Sequence, residues 1–442
     1  MEELNNKINE YEDDFIETMK IFIYSFIGIF IIFIPIRING VMSTTLIHIN
    51  NFIIEDMLYI VKVMSVVYTI LGCTMIFIKK NNTKDKKNIS SYIKLLSILI
   101  VINIFYSDSQ SYFLLSEKTL FLTKELIYEL TIMLPLFAIF LPLIKDYGLL
   151  EISESFLQKD MKKIFKLSGK TIINILVFLA TNCFCGLYML NKLYIEGKLR
   201  EREACILYTN FSLISYSLIK IISQELNINT IELLIIMASF FIISNFILCR
   251  VYPLNKKKSS YYIKTEYKET IHKKNKLEKG IQKYIQNRKE KNIFKLIMRN
   301  VLETIKINID LIPNILIVMF MIDKILLNES FNLINLFAQI TTENISIYEI
   351  DEILRISILG FFDNVVAIES LEKNLLEVPK ILIGVIMISK CITFTNHFIY
   401  LEQTLIPISK KEVVIIYIEK IFIIVTMFFM MYYFCIGYLS KI

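Results

Sequence analysis

Asp363 is the side chain in this sequence best placed to do chemistry. It stands in Gly360-Phe361-Phe362-Asp363-Asn364, inside the otherwise apolar segment 356–372. A carboxylate at membrane depth is costly and marks a functional site unless water reaches it. The alternative is an interfacial carboxylate solvated at the outer surface, a description that suits Glu369 better. A second polar group, Lys390, Thr393, Thr395, Asn396 and His397, lies on the apolar stretch 381–401. Read as one helix, that stretch puts positions 389, 393 and 396 on a single face. The face turns into the protein, either for helix–helix hydrogen bonding or for ligand contact. Lys390 is a candidate counter-charge for Asp363. The third group is Tyr208, Thr209, Asn210, Ser212, Ser215 and Ser217, too polar for a lipid-facing helix. With Thr181 and Asn182 it can line the other half of a cavity. A lining of Asn, Ser and Thr suits a neutral hydrogen-bonding solute better than an inorganic anion. The candidate ligand set is therefore Thr181, Asn182, Asn210, Ser212, Asp363, Asn364, Lys390, Thr395 and Asn396.

Other chemistries find little support. The sequence has no P-loop, no dinucleotide fingerprint, no HExxH and no GxSxG, so no enzyme, catalytic residue or cofactor is expected. The three histidines (His48, His272, His397) are far apart, and Cys183-Phe184-Cys185 lacks the spacing of a zinc or redox pair. No metal site is expected. Isolated glycines at Gly169 and Gly197 read as turns.

The elements that must carry these residues are membrane helices. Of 442 residues, 55% are hydrophobic, and they fall in long runs such as Phe22–Ile36, Ile231–Leu248 and Val413–Tyr433. About 20 apolar residues in a helix cross a bilayer core, and continuous rather than alternating runs exclude a barrel. The expected fold is an all-α polytopic membrane protein with about nine transmembrane helices. They are placed at 20–36, 57–78, 89–106, 127–144, 203–224, 231–250, 306–326, 381–401 and 412–438. The first follows the acidic stretch Glu2–Asp14 and ends at Pro35, and it reads as a membrane helix rather than a cleaved signal peptide. Segments 171–190 and 356–372 are shorter and carry polar residues.

Charge sets the sides. Lys256–Lys291 holds 13 Lys/Arg against 4 Glu and reads as a cytoplasmic loop, as do the basic stretches at 79–87 and 159–170. A juxtamembrane basic loop is a topology determinant beside anionic lipid, so no nucleic-acid partner is expected. The acidic stretch 328–353 reads as external. An even number of crossings must separate loops 145–170 and 251–292, yet three apolar segments lie between them. Segment 171–190 is therefore expected to be a re-entrant hairpin, which survives only inside protein or beside a wet cavity. The second half repeats the order. Leu134-Pro135 and Ile312-Pro313 each lie in an apolar helix, followed by an amphipathic stretch (149–168, 331–353), a polar-bearing short segment and two closing helices. Opposite flanking charge in the two copies is what an inverted-topology repeat requires. The chain divides into N-terminal helices (1–126), a first repeat (127–254), the basic loop (255–293) and a second repeat (294–442).

These residues also resemble a known family. Ile27-Gly28-Ile29-Phe30 through Ile34-Pro35-Ile36 and Asn39-Gly40 are similar to the first helix of the YjiH family of bacterial inner-membrane proteins. Gly169-Lys170, then Leu193-Tyr194-Ile195-Glu196-Gly197-Lys198-Leu199-Arg200-Glu201-Arg202-Glu203-Ala204 and Phe211-Ser212, resemble its nucleoside-recognition or Gate domain. Gly360-Phe361-Phe362-Asp363 and Ile406-Pro407 are similar to its second copy. Related domains occur in concentrative nucleoside transporters, ferrous iron transporter B and spore maturation proteins. The resemblance implies a core of hairpins and broken helices, a bacterial inner-membrane location, and a transporter or permease for a small polar, nucleoside-like solute. The alternative is a non-transporting scaffold or partner subunit that pairs with a second Gate-domain membrane protein, as in spore maturation proteins. Where the family tends to carry Ser-Glu after the second hairpin, this chain has Thr395-Asn396. That removes a carboxylate from any proton- or sodium-coupled scheme.

Overall fold

The apolar runs form helices because a backbone without water must satisfy its own polar groups. The computed structural model describes residues 2–82, 89–106, 115–263, 275–287, 292–326, 350–371 and 377–439. Helix α1 spans Glu2–Phe33 and stops before Pro35. A short hairpin follows, β1 (Pro35–Ile38) against antiparallel β2 (Val41–Thr44). Its two-residue turn, Asn39-Gly40, has φ of 50° and 82°, the left-handed pair that such turns demand. The sequence reading carried the first helix to residue 36 and missed this hairpin. It also missed α2 (Thr45–Asp56), which leads into α3 (Leu58–Asn82) and α4 (Ile89–Tyr106).

The core begins at α5 (Glu117–Lys145), which carries Pro135 and Pro142. Amphipathic α6 (Leu149–Phe165) follows, then α7 (Thr171–Ala180) and α8 (Cys183–Ile195), then α9 (Glu201–Asn210), α10 (Tyr216–Glu225) and α11 (Thr230–Leu248). After the surface helix α12 (Lys276–Asn287) the order resumes with α13 (Ile293–Met321), which carries Pro313 and ends in a π-turn at Ile322–Leu326. Next come α14 (Ile350–Phe362), α15 (Asn364–Glu369), α16 (Glu377–Ser389) and α17 (Lys410–Leu439).

Among the described residues, six segments are long and apolar enough to cross a membrane: Leu58–Met75, Thr119–Lys145, Thr230–Leu248, Ile293–Lys324, Val378–Phe398 and Lys410–Met431. The fifth is not continuous, because its backbone leaves the helix at Lys390. The expected nine unbroken crossings are not found among the described residues. The apolar parts of α1 and α4, Thr18–Phe33 and Lys94–Phe105, are shorter. Segment 203–224 is two ten-residue helices with an extended link at 211–215. Asn210, Ser212 and Ser215 offer side-chain hydrogen bonds that compete with helical ones, so the helix yields there.

The two Pro-bearing helices pack along each other, with Asn308 Nδ2 donating to Leu130 O at 3.0 Å. Ser116, the cap of α5, bonds Asp323 beyond the end of α13, so the pair is antiparallel. Leu130 and Asn308 are as far apart in sequence as Pro135 and Pro313, 178 residues. Equivalent residues meet each other only near a two-fold axis. Antiparallel helices, each followed by a helical hairpin, a broken helix and a closing helix, are the arrangement that an inverted-topology repeat requires.

The basic side is held together as one surface. Helix α12 lies on α6, with Lys283 Nζ 3.0 Å from Glu154 Oε2. The chain at 258–260 accepts from 201–202, through Glu201 N to Ser260 O (2.9 Å) and Arg202 N to Lys258 O (3.0 Å). Lys257 bridges to Glu412 at the start of α17 (2.9 Å). The acidic stretch expected to be external, with its amphipathic segment, falls mostly at 327–349, outside the described residues.

Candidate functional site

Two hairpins reach the centre. In the first, α7 and α8 lie side by side, and Asn174 Nδ2 donates across them to Gly186 O (2.9 Å). Gly186 permits this approach, since a Cβ there would overlap the buried Phe178 ring. Both arms begin and end at one face: Ser168 N donates to Glu203 Oε1 (2.7 Å), next to the loop at 258–260. The hairpin tip is Thr181-Asn182. Asn182 Oδ1 caps α8 by accepting from Cys185 N (3.0 Å) and its Nδ2 donates to Glu129 Oε1 of α5 (3.0 Å). Thr181 Oγ1 returns to Val177 O in its own helix (2.7 Å). At about 1.5 Å per residue, helices of 10 and 13 residues are too short to span a core of about 30 Å.

The second hairpin is α14 and α15, with Asp363 at the tip. Its base is clamped by Arg355, which forks onto Glu352 (2.6 and 2.9 Å) and donates to Ser370 O (2.6 Å). Asp363 N still bonds Leu359 O (2.9 Å), while its side chain leaves the helix and accepts from Thr395 Oγ1 at 2.6 Å. Asp363 is buried.

Two helix breaks complete the centre. One is 211–215. The other is 390–393, between α16 and a π-turn at Phe394–Phe398, with Cys391 in the left-handed region (φ 64°). This second break overturns the expected face of 389, 393 and 396, because the backbone between them is not helical. The π-turn touches everything. Thr395 bonds Asp363 of the second hairpin. Asn396 hydrogen-bonds the Cys183 thiol beside the first hairpin's tip. His397 O accepts from Tyr208 Oη (2.5 Å) and His397 Nε2 lies 2.7 Å from Ser212 Oγ. Thr393 N donates to His397 Nδ1 (3.2 Å), and Ser212 Oγ donates to Tyr208 O (3.0 Å). The hydrogen bonds therefore assign the neutral tautomer with the proton on Nε2.

Lys390 is fully buried and its Nζ packs where a Cβ on Gly360 would lie. The Asp363 charge acts on it, but its Nζ makes no hydrogen bond; Ser389 Oγ, Thr393 Oγ1 and Asn364 Oδ1 are also buried without one. Asn210 is turned away from the hairpins: its Oδ1 accepts from Thr209 and only its backbone carbonyl faces the second break. So Asn182, Ser212, Asp363, Asn364, Lys390, Thr395 and Asn396 belong to one central assembly, while the Thr181 and Asn210 side chains serve the backbone and their neighbours. Sequence reasoning missed Glu129 and Lys420. Both are ionisable residues inside apolar runs, and the criterion that selected Asp363 applies equally to them.

Residues 127–229 match the Gate family model, described as nucleoside recognition. The matched segment runs from within α5 to the turn after α10, and so takes in the first hairpin and first broken helix. An uncharacterized protein of Alkalihalophilus pseudofirmus is 30% identical over 142 residues. That alignment covers 31% of this chain and 31% of the relative, so the chain spans about a third of the length of the curated relative it matches. No solved structure matches. The protein is thus a multi-pass membrane protein that carries a segment similar to the Gate domain.

At the Gate segment's basic end, Lys145 Nζ sits 2.6 Å from Glu196 Oε1, and Lys198 lies 4.0 Å from Glu196 Oε2. Burial alone would raise the Glu196 carboxyl, but the charges of Lys145 and Lys198 overcome it and hold it below the usual carboxylate range. Lys198 is pushed the opposite way by burial, and Asp146, Glu151 and Glu196 together raise it.

Proposed function

We propose that this protein is a transporter or permease of the bacterial inner membrane for a small polar, nucleoside-like solute bound between its two hairpins. One observation carries the reading. Two hairpin tips and two helix breaks converge on a buried assembly where Lys390 Nζ, Ser389 Oγ, Thr393 Oγ1 and Asn364 Oδ1 make no hydrogen bond to any described residue. Buried polar groups are normally satisfied, so these atoms are the ones a solute's hydroxyls, amides or carbonyls would engage. Asp363, Thr395, Asn396 and Asn182 are proposed to orient it, and Lys390 to meet an acceptor on it. The Gate match at 127–229, described as nucleoside recognition, supports that solute class. In this reading 127–254 and 294–442 are the two repeats, and their relative rocking exposes the site to alternate sides.

A second reading is a membrane scaffold that pairs with another Gate-domain protein. It is favoured by the direct bonds between the elements, such as Thr395 to Asp363 and Tyr208 to His397, which hold the centre shut. Thermal-shift measurement of the purified protein against nucleosides and nucleobases decides between them. Saturable stabilisation by a member of the panel, abolished in Asn396→Ala, is expected. No response to any panel member, together with stable co-purification of a partner, would sink the transport reading.

A further inference from the structure

Lys420 lies in α17 and is fully buried. Its Nζ donates to Asn210 O (3.0 Å) and lies 3.3 Å from Cys391 Sγ. It also sits over the Phe241 ring, 5.4 Å from the centroid. Asn210 is the last residue of α9, so its carbonyl is one that the helix leaves unsatisfied. Asn245 Nδ2 (3.2 Å) and the Cys391 thiol (3.3 Å) also point at that oxygen. Every group holding Lys420 is neutral: a carbonyl, a thiol and an aromatic face. No carboxylate among the described residues partners it, so an ammonium here would be expensive unless its surroundings favour positive charge. The C-terminal end of α9 does so through its dipole and its terminal carbonyl, which accepts from Lys420, Asn245 and Cys391. Unwound carbonyls and half-helix C-termini are where transporters of inverted-repeat type hold a monovalent cation.

We infer that the Lys420 ammonium is a resident cation at the α9 break, tethered where a bound sodium or other monovalent ion would otherwise sit. It ties α17, α9 and the Cys391 break into one unit, so the assembled centre needs no metal cation from solution at this point. The readout is folding, which keeps the test independent of whether the protein carries a solute.

The experiment measures melting temperature of the purified protein in sodium, lithium, potassium and choline chloride at constant ionic strength, for the wild type, Lys420→Ala and Lys420→Gln. The wild type is expected to melt alike in all four. Lys420→Ala is expected to melt lower by about 5 °C or more, and to be restored selectively by sodium or by propylammonium, which replaces the missing side chain. Lys420→Gln keeps length and a hydrogen-bond donor but not charge, and is expected to remain destabilised. Saturable stabilisation of the wild type by one cation overturns the inference, because the site would then not be filled from within. So does a Lys420→Gln protein as stable as the wild type, which would show that the charge is not needed. If Lys420→Ala does not fold, the wild-type cation series and Lys420→Gln still decide.

Discussion

Replacing Asp363 with Asn keeps the shape of the second hairpin's tip and removes its charge. Two losses follow from the structure. The Thr395 Oγ1 bond at 2.6 Å changes from one to a carboxylate to one to an amide, a loss of about 1 kcal/mol. Lys390, fully buried and without a hydrogen bond, also loses the opposite charge that acts on it. Removing one member of a buried charge pair costs roughly 3 kcal/mol or more, but here the groups are not in direct hydrogen-bonded contact, so the total should be roughly 2–4 kcal/mol. In a chain of this size that lowers Tm by roughly 2–4 °C. The assay is thermal unfolding in detergent, followed by tyrosine fluorescence, of Asp363→Asn, Thr395→Val, Lys390→Met and the Asp363→Asn/Lys390→Met double variant. Thr395→Val removes the hydroxyl but leaves both charges, and should lose the least. The double variant removes both charges and should recover at least half of the loss, since an uncompensated buried charge costs more than no charge. An Asp363→Asn protein melting within a degree of the wild type would refute the reasoning. So would a double variant no more stable than Asp363→Asn alone.

Four further outcomes are expected. Tyr208→Phe should lose roughly 1–2 kcal/mol in urea or thermal unfolding, because it deletes a buried donor and leaves the His397 carbonyl unpaired. Gly186→Ala should destabilise by roughly 1–3 kcal/mol and increase protease cleavage within the first hairpin, since the added Cβ meets the Phe178 ring. Glu196 has a depressed folded-state pKa, so its contribution is present above the unfolded carboxylate value of about 4.3 and is lost as pH falls through the lower folded value. Glu196→Gln should flatten the acid limb of a Tm-versus-pH curve while leaving the slope near neutrality unchanged. Cysteines introduced at Asn227 and Ser259, both exposed and separated by α11, should label from opposite sides of the membrane, with Ser259 protected from outside; labelling of both from one side would remove the assigned orientation.

The sequence alone determined what a bilayer reads: which runs are apolar, which loops are basic, and where a polar residue is out of place. Those properties are local and additive, so the hydrophobic runs, the basic end, the twin Pro-bearing helices and the Asp363 tip were all legible. Parity of crossings even required the first hairpin, and both of its ends lie on the basic face. The breaks at 211–215 and 390–393 were not legible. Polar residues mark both stretches without saying where the backbone leaves the helix, and distant groups meet what is released: Lys420 binds Asn210 O at the first break, and Ser212, 185 residues away, meets the His397 ring after the second. For the same reason no spacing pattern could place Lys420, Glu129 and Cys183 beside residues up to some 210 positions away. Lipid solvation selects the helices one by one. Only the packed tertiary structure, in which hydrogen bonds lost along the chain are regained across it, decides where they must break.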